Sequence, residues 1–154
     1  LPYTGQLMVT ATVEATLERI PVWAKARPDV RAIALVGSWA RGTARPDSDM
    51  DLMLLVDEPE LFRREMDWLE EISISKPKRW QDEDYGAAWS RRVFLEDNSQ
   101  LEFTFSTPEW ASISPLDPGT FRVMRNGSRI LYDPESIFEQ LTNHVRQINP
   151  PPSS

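Results

Sequence analysis

Two aspartates at the start of an apolar segment are the residues of this sequence best suited to chemistry. The segment reads DMDLMLLV over residues 49–56, and its alternation predicts a strand with Asp49 and Asp51 on the same face. Their carboxylates can converge on shared cations, because two strand residues span only about 6.6–7 Å. Magnesium suits such a pair, since it prefers oxygen ligands and keeps positions open for phosphate oxygens. A solvated loop before the strand is the alternative interpretation.

A glycine-serine pair follows another apolar segment, RAIALV over residues 31–36, which predicts a buried strand. Gly37 and Ser38 precede a predicted helical turn at residues 39–43. Glycine lets the backbone approach a ligand closely, and the N–H groups of a helix start, with a serine hydroxyl, suit a phosphate. The alternative is an ordinary strand-to-helix turn with Ser38 as the N-cap.

Together the two segments form a recognisable signature. Leu35-Val36-Gly37-Ser38 is followed by residues 39–48 and then by Asp49-Met50-Asp51-Leu52. This order resembles the DNA polymerase beta-type nucleotidyltransferase superfamily, whose signature is an apolar residue, Gly, Gly or Ser, about ten further residues, and Asp-x-Asp or Asp-x-Glu. The longer segment GSWARGTARPDSDMDLMLLV is similar to bacterial minimal nucleotidyltransferases and aminoglycoside adenylyltransferase-like proteins. The resemblance covers residues 31–56 closely and the rest only loosely.

The resemblance implies a nucleotide site at one end of a mixed sheet. Asp49 and Asp51 are expected to hold two Mg²⁺ ions, which can activate an attacking oxygen and stabilise a departing one. ATP or another nucleoside triphosphate is the expected donor. The nucleotide-binding residues expected on this basis are Gly37, Ser38, Arg41 and Ser48. For Arg41 and Ser48, contacts within the loop are an equal alternative.

A third carboxylate on a later strand is frequent in this superfamily. The segment 100–106 alternates in character, which predicts a strand with Glu102 on its polar face. Glu96 is the rival, but it falls in a predicted hairpin turn at residues 96–99. Glu102 is therefore predicted to be a metal ligand or the general base that deprotonates the acceptor hydroxyl. A glutamate that merely faces solvent would give the same pattern.

Other conspicuous side chains fit structural roles better. Arg91 and Arg92 point to opposite faces of a predicted strand, so only one of them can contact phosphate, and a solvated arginine is the default. Trp39 is expected to pack at the rim of the core, with stacking on a base as the alternative. Trp89 and Trp110 are predicted core residues.

Strands mixed with helices predict an α+β (α/β-like) domain with a mixed sheet flanked by helices, and the resemblance implies the nucleotidyltransferase fold. Residues 1–8 are expected to be a flexible N-terminus or a cloning remnant, residues 9–148 a single domain, and residues 149–154 a disordered tail. The predicted helices cover residues 9–25, with a kink or end at Pro21, and residues 58–72, 118–125 and 134–148. The remaining predictions are an irregular segment at residues 73–84 and strands at residues 85–95 and 129–132. A hairpin turn at Asn126-Gly127 is the alternative to the third helix.

Composition limits the function classes. The chain has 154 residues and a net charge of −7, which argues against long nucleic acid as a partner and is compatible with a cationic or protein acceptor. The absence of cysteine excludes thiolate chemistry, and the single histidine excludes a multi-histidine metal site. No apolar run reaches the length of a membrane span, so a cytoplasmic location is expected.

The predicted function is metal-dependent transfer of a nucleoside monophosphate, AMP from ATP, to a hydroxyl of a small molecule or protein. Two alternatives stay open: an antitoxin-type binding module of a toxin–antitoxin pair, and a nucleotide-binding domain without catalysis. The expected partners are the nucleotide, the acceptor, and either a second copy of the chain in a homodimer or a toxin.

Overall fold

A single six-stranded sheet forms the centre of the molecule. The computed structural model describes residues 2–45 and 48–148, with side chains from residue 11 onward. The strands are β1 Val30–Val36, β2 Met50–Val56, β3 Pro77–Asp84, β4 Trp89–Leu95, β5 Gln100–Ser106 and β6 Ser128–Tyr132. Their order in the sheet is β3-β4-β5-β2-β1-β6. Among these strands β2 and β5 pair in parallel and all other neighbours are antiparallel. The predicted α+β class with a mixed sheet is confirmed.

Helices cover both faces of the sheet. The helices are α1 Pro2–Lys25, α2 Ser38–Arg41, α3 Pro59–Arg64, α4 Asp67–Ile72, α5 Pro118–Arg125 and α6 Ile137–Ile148, with a 3₁₀ turn at Pro108–Ala111. Side chains of α1, α3 and α4 pack on the face that carries Leu52 and Leu54. Those of α5, α6 and the 3₁₀ turn pack on the opposite face against Met53 and Leu55. The strict alternation along β2 therefore feeds two separate apolar cores.

The helix predicted over residues 58–72 is wrong in one respect, because the structure has two short helices there. Glu65 between them is extended, with φ −90° and ψ 137°. The break is stabilised by tertiary donors: the Trp68 indole donates to the Phe62 carbonyl at 2.8 Å, and Arg91 donates to the Arg63 carbonyl at 3.3 Å. These bonds replace intrahelical ones that a continuous helix would make. The first helix also differs, since it starts at Pro2 and continues past Pro21 to Lys25.

The segment predicted to be irregular, residues 73–84, contains the edge strand β3. It pairs with β4 alone and nearly all of its residues are exposed, so the apolar alternation that identifies a half-buried strand is missing. The predicted strand at residues 85–95 begins later, at Trp89, because a turn precedes it. In that turn the Tyr85 amide donates to the Ala88 carbonyl at 2.8 Å and Gly86 has φ 79°.

Several local predictions are confirmed. The turn between β4 and β5 falls where it is predicted, with Asn98 at φ 72°. Asp117 caps α5 by accepting from the amides of Gly119 and Thr120, which decides for a helix over the hairpin alternative. The terminal helix begins at Ile137 rather than at residue 134, because the Asp133 carboxylate accepts from its first amides. The predicted tail, residues 149–154, lies outside the described residues.

None of the helices in the described part of the chain combines the length and the apolar character that a membrane span requires.

Candidate active site

Three carboxylates meet where β2 and β5 run side by side. Asp51 on β2 is directly opposite Glu102 on β5 in the parallel register, and Asp49 immediately precedes β2. One oxygen of each of the three side chains lies within 4.8 Å of the others. Parallel pairing of the two strands brings together residues that are far apart in the sequence. Glu96, the rival third carboxylate, lies in the β4–β5 turn and is not part of this group.

The negative charge of the carboxylate cluster is compensated only in part, by Arg92. The pKa of Asp51 is raised to about 7. Burial is the largest cause, followed by a hydrogen bond with Glu102, repulsion from Glu102 and repulsion from Asp49, while Arg92 lowers this pKa. Burial is also the main cause that raises the pKa of Asp49, with Arg92 again opposing it. Three half-buried carboxylates this close together fit a hard divalent cation, because oxygen donors are the ligands that Mg²⁺ prefers. The assignment of Asp49, Asp51 and Glu102 as metal ligands stays a prediction.

Gly37 is held against this cluster by the sheet. The neighbouring Val36 pairs with Asp51 across β1 and β2, and Gly37 follows with φ 78° and ψ −156°, a conformation that side-chain-bearing residues essentially do not adopt. A Cβ at this position would lie 2.5 Å from Oδ2 of Asp51. Glycine is therefore required here for two reasons, the backbone conformation and the space that the carboxylate occupies.

The other residues predicted to contact phosphate are Ser38, Arg41 and Ser48. Ser38 opens α2 directly after Gly37. The guanidinium of Arg41 donates to the Asn126 carbonyl at 3.1 Å, and the Ser48 hydroxyl accepts from the Arg45 amide at 2.9 Å. Arg41 and Ser48 thus make contacts with loop residues, and their roles toward a nucleotide stay predictions.

Trp39 links the glycine-serine turn to the loop that carries the first aspartate. Its indole N–H donates to the Ser48 carbonyl at 3.1 Å, and its ring packs against the core formed with α1, α3 and α4. The expected packing role is confirmed. Because Ser48 directly precedes Asp49, this hydrogen bond helps to fix the position at which Asp49 enters the site.

Arg92 is exposed, as expected for a solvated arginine, but it also contacts the carboxylate cluster. Its Nε lies 3.1 Å from Oδ2 of Asp49 and its Nη2 lies 3.7 Å from Oε2 of Glu102. It stands directly opposite Glu102 in the antiparallel β4–β5 pair. The turn predicted at residues 96–99 would place position 92 across from position 103, and the observed register differs from it by one residue.

Arg91 points to the other face of the sheet and, against the expectation of a solvated arginine, is buried. Its side chain is only 3% exposed and forms a two-point ion pair with Asp82, at 2.7 and 2.8 Å. The guanidinium also lies over the rings of Trp68 and Trp89. Trp89 is buried as predicted. Arg91 therefore belongs to the apolar core between β4 and α4.

A cavity of about 480 Å³ opens beside the carboxylates, a size that holds a small-molecule ligand. Its walls combine polar groups of the site with apolar side chains. They are formed by Val36, Gly37, Arg41, Asp51, Leu52, Met53, Tyr85, Ala88, Glu102, Thr104, Trp110, Asp117, Gly119, Val123 and Asn126. Trp110, predicted to be a core residue, is only partly buried and lines this cavity.

Comparison with known proteins gives one family match and several distant structural ones. Residues 21–117 match the family model described as nucleotidyltransferase domain. Among solved structures, an aminoglycoside 6-adenyltransferase from Bacillus subtilis is similar, with a TM-score of 0.47 and 20% identity over 62% of this chain and 36% of that one. A chain from a crystal structure of a toxin–antitoxin with AMP-PNP is similar with a TM-score of 0.43 and 13% identity, over 86% of this chain and 85% of that one. No curated protein matches significantly.

Proposed function

Because the chain belongs to the nucleotidyltransferase domain family, we propose that it transfers a nucleoside monophosphate, AMP from ATP, to a hydroxyl group of a small-molecule or protein acceptor. The observation that carries this proposal is the convergence of Asp49, Asp51 and Glu102 within 4.8 Å, at the end of the sheet where Gly37 lies. The chain spans 36% of the length of the adenyltransferase to which it is similar. The acceptor is therefore proposed from the net charge and the site residues of this chain alone.

The proposed reaction divides two roles, proton acceptance and metal binding, among the three carboxylates. Glu102 accepts the proton of the acceptor hydroxyl, whose oxygen forms a new bond to the α-phosphorus of the donor. The bond between the α-phosphorus and the bridging oxygen breaks, and pyrophosphate leaves with that electron pair. Asp49 and Asp51 would hold the magnesium ions, which would neutralise charge at the phosphates when bound. The contribution of the protein is mostly positioning and electrostatic stabilisation.

We assign the donor nucleotide to the cavity beside the carboxylates. Gly37 allows close approach of the phosphates, and the start of α2 at Ser38 adds polar groups next to it. Arg41 lines the same cavity and is proposed to exchange its contact with the Asn126 carbonyl for a phosphate. The net charge of −7 favours an acceptor that carries positive charge. A second copy of the chain or a protein partner is the proposed source of any further acceptor contacts.

A transfer assay tests the proposal directly. The protein is incubated with Mg²⁺ and ATP labelled at the α-phosphate, together with panels of hydroxyl-bearing small molecules and proteins, and both labelling and pyrophosphate release are measured. Glu102→Gln is expected to lower the rate by about 10²–10⁴-fold, the usual contribution of a general base. Glu96→Gln is the matched control, because it removes a glutamate from the same hairpin outside the cluster, and it should retain the wild-type rate.

Two results would count against the enzymatic proposal. Equal rates for the Glu96 and Glu102 variants would remove Glu102 from the reaction. Binding of magnesium and ATP without labelling of any acceptor would favour the alternatives, a nucleotide-binding domain without catalysis or an antitoxin-type module.

A further inference from the structure

Arg92 contacts two of the three carboxylates that could hold a divalent cation. Its guanidinium contacts Oδ2 of Asp49 at 3.1 Å and lies 3.7 Å from Oε2 of Glu102. Both residues belong to the group that could hold a metal ion. Within residues 2–45 and 48–148, no other lysine or arginine forms a salt bridge with this group. A guanidinium and a divalent cation repel each other when both lie against the same carboxylates, so metal binding is expected to weaken the contacts of Arg92.

Arg92 is held loosely enough to move. Its side chain is 45% exposed, and the longer of its two contacts exceeds hydrogen-bond distance. Its chain neighbour Arg91 provides the contrast, since that side chain is 3% exposed and hydrogen-bonded to Asp82 at two points. A second cavity of about 480 Å³ adjoins Arg92 on the open face of β3, β4 and β5. It gives the guanidinium space into which it can turn.

We propose that Arg92 is a resident counter-cation that the metal displaces, and that the displaced guanidinium then binds a phosphate of the donor nucleotide. The inference rests on the proposed function, because it needs a metal–nucleotide complex at the carboxylates. A side chain that now reaches both Asp49 and Glu102 remains within reach of phosphate oxygens that are bound beside them. The planar guanidinium matches the geometry of phosphate oxygens and stays charged at every relevant pH. Arg92 thus exchanges one anionic partner for another.

The test measures two affinities whose changes have opposite signs. In Arg92→Gln, removal of the competing cation should tighten binding of Mg²⁺ alone by about two- to fivefold, the range expected for a partly exposed ion pair. The same variant should bind an ATP analogue with a methylene group between the α- and β-phosphates about tenfold more weakly at saturating Mg²⁺. Isothermal titration calorimetry gives both affinities without any transfer reaction.

Two further variants separate contact from general charge. Arg79→Gln removes an arginine from β3 that stacks on Phe94 and makes no salt bridge to the carboxylates, so both affinities should stay within about twofold of wild type. Arg92→Lys retains the charge and should recover part of the nucleotide affinity that the glutamine variant loses. Melting temperatures in EDTA establish that each variant is folded.

The outcomes distinguish this inference from the proposed function. Changes of the same sign in both affinities of Arg92→Gln, or values equal to those of Arg79→Gln, would overturn the role of Arg92 while wild-type nucleotide binding leaves the proposed function intact. Failure of the wild type to bind the magnesium–nucleotide complex would overturn the proposed function itself.

Discussion

Replacement of Gly37 by alanine probes the contact between the turn after β1 and the carboxylate cluster. The added methyl group would lie 2.5 Å from Oδ2 of Asp51, well inside van der Waals contact. The backbone conformation is also unfavourable for alanine, with φ 78° and ψ −156°. We therefore expect Gly37→Ala both to destabilise the fold and to displace Asp51 from the position in which it faces Glu102.

The magnitude follows from these two effects. A residue with a side chain in this region of backbone space costs about 1–3 kcal/mol, and relief of the clash requires Asp51 to rotate or β1 to shift. The expected loss in the free energy of unfolding is therefore about 2–3 kcal/mol, measured by urea denaturation in EDTA. The affinity for Mg²⁺ should fall by about tenfold or more, the scale seen when groups that orient metal ligands are disturbed.

Gly42→Ala is the matched control. Gly42 has φ 75° and ψ 19°, so alanine is strained there too, at a cost of about 1 kcal/mol. A Cβ at Gly42 would meet no atom within 4 Å. We expect a modest loss of stability with unchanged Mg²⁺ affinity. If both alanine variants lowered Mg²⁺ affinity equally, or if neither did, the argument that Gly37 makes room for the Asp51 carboxylate would be refuted.

Three further predictions follow from the same structure. Because the pKa of Asp51 is raised to about 7, the folded chain holds that proton more tightly than the unfolded one. Relative to Asp51→Asn, the protein in EDTA should therefore lose up to about 4 kcal/mol of unfolding free energy between pH 4 and pH 7. The affinity for Mg²⁺ should rise over the upper part of that range. Denaturation in EDTA and titration with Mg²⁺ measure the two effects. Arg91→Met should destabilise the fold by about 1–3 kcal/mol through the lost hydrogen bonds of a buried guanidinium, with unchanged Mg²⁺ affinity; a change in affinity as large as that of Arg92→Gln would contradict it. Trp39→Phe should lower both stability, by about 1 kcal/mol, and Mg²⁺ affinity, because the Ser48 carbonyl loses its donor; an unaltered Mg²⁺ affinity in calorimetry would show that this bond does not position Asp49.

The central strands and the aspartate pair could be predicted because local pattern determines them. Residues 31–36 and 49–56 are apolar segments bounded by loop residues, and the period of two along the second segment places both aspartates on one face. Alternation also selected the correct face for Glu102. Its distance from Asp51 could not be derived in this way, because it depends on parallel pairing of β2 with β5, a long-range choice that alternation leaves open.

The failures have tertiary causes. β3 is exposed on both faces at the edge of the sheet, so its sequence lacks the apolar signal by which strands are identified. The helix over residues 58–72 is divided because Trp68 and Arg91 supply donors to carbonyls at the break. Arg91 is buried against general expectation for arginine, since aromatic rings and Asp82 surround it. The contacts of Arg91 come from elements that are distant in the sequence, whereas the Trp68 bond spans only six residues but depends on the packing of its ring.

Binding of the magnesium–ATP complex, measured by calorimetry and by thermal unfolding, tests the central claim most directly. Wild type should bind ATP only when Mg²⁺ is present, and at about 100 times the dissociation constant of the complex it should gain about 2.7 kcal/mol of stability. The double variant Asp49→Asn/Asp51→Asn should gain nothing. Asp57→Asn, which changes an exposed aspartate just beyond the other end of β2, should behave like wild type. Equal binding by the double variant, or no binding by wild type, would contradict the assignment of this cluster as the nucleotide site.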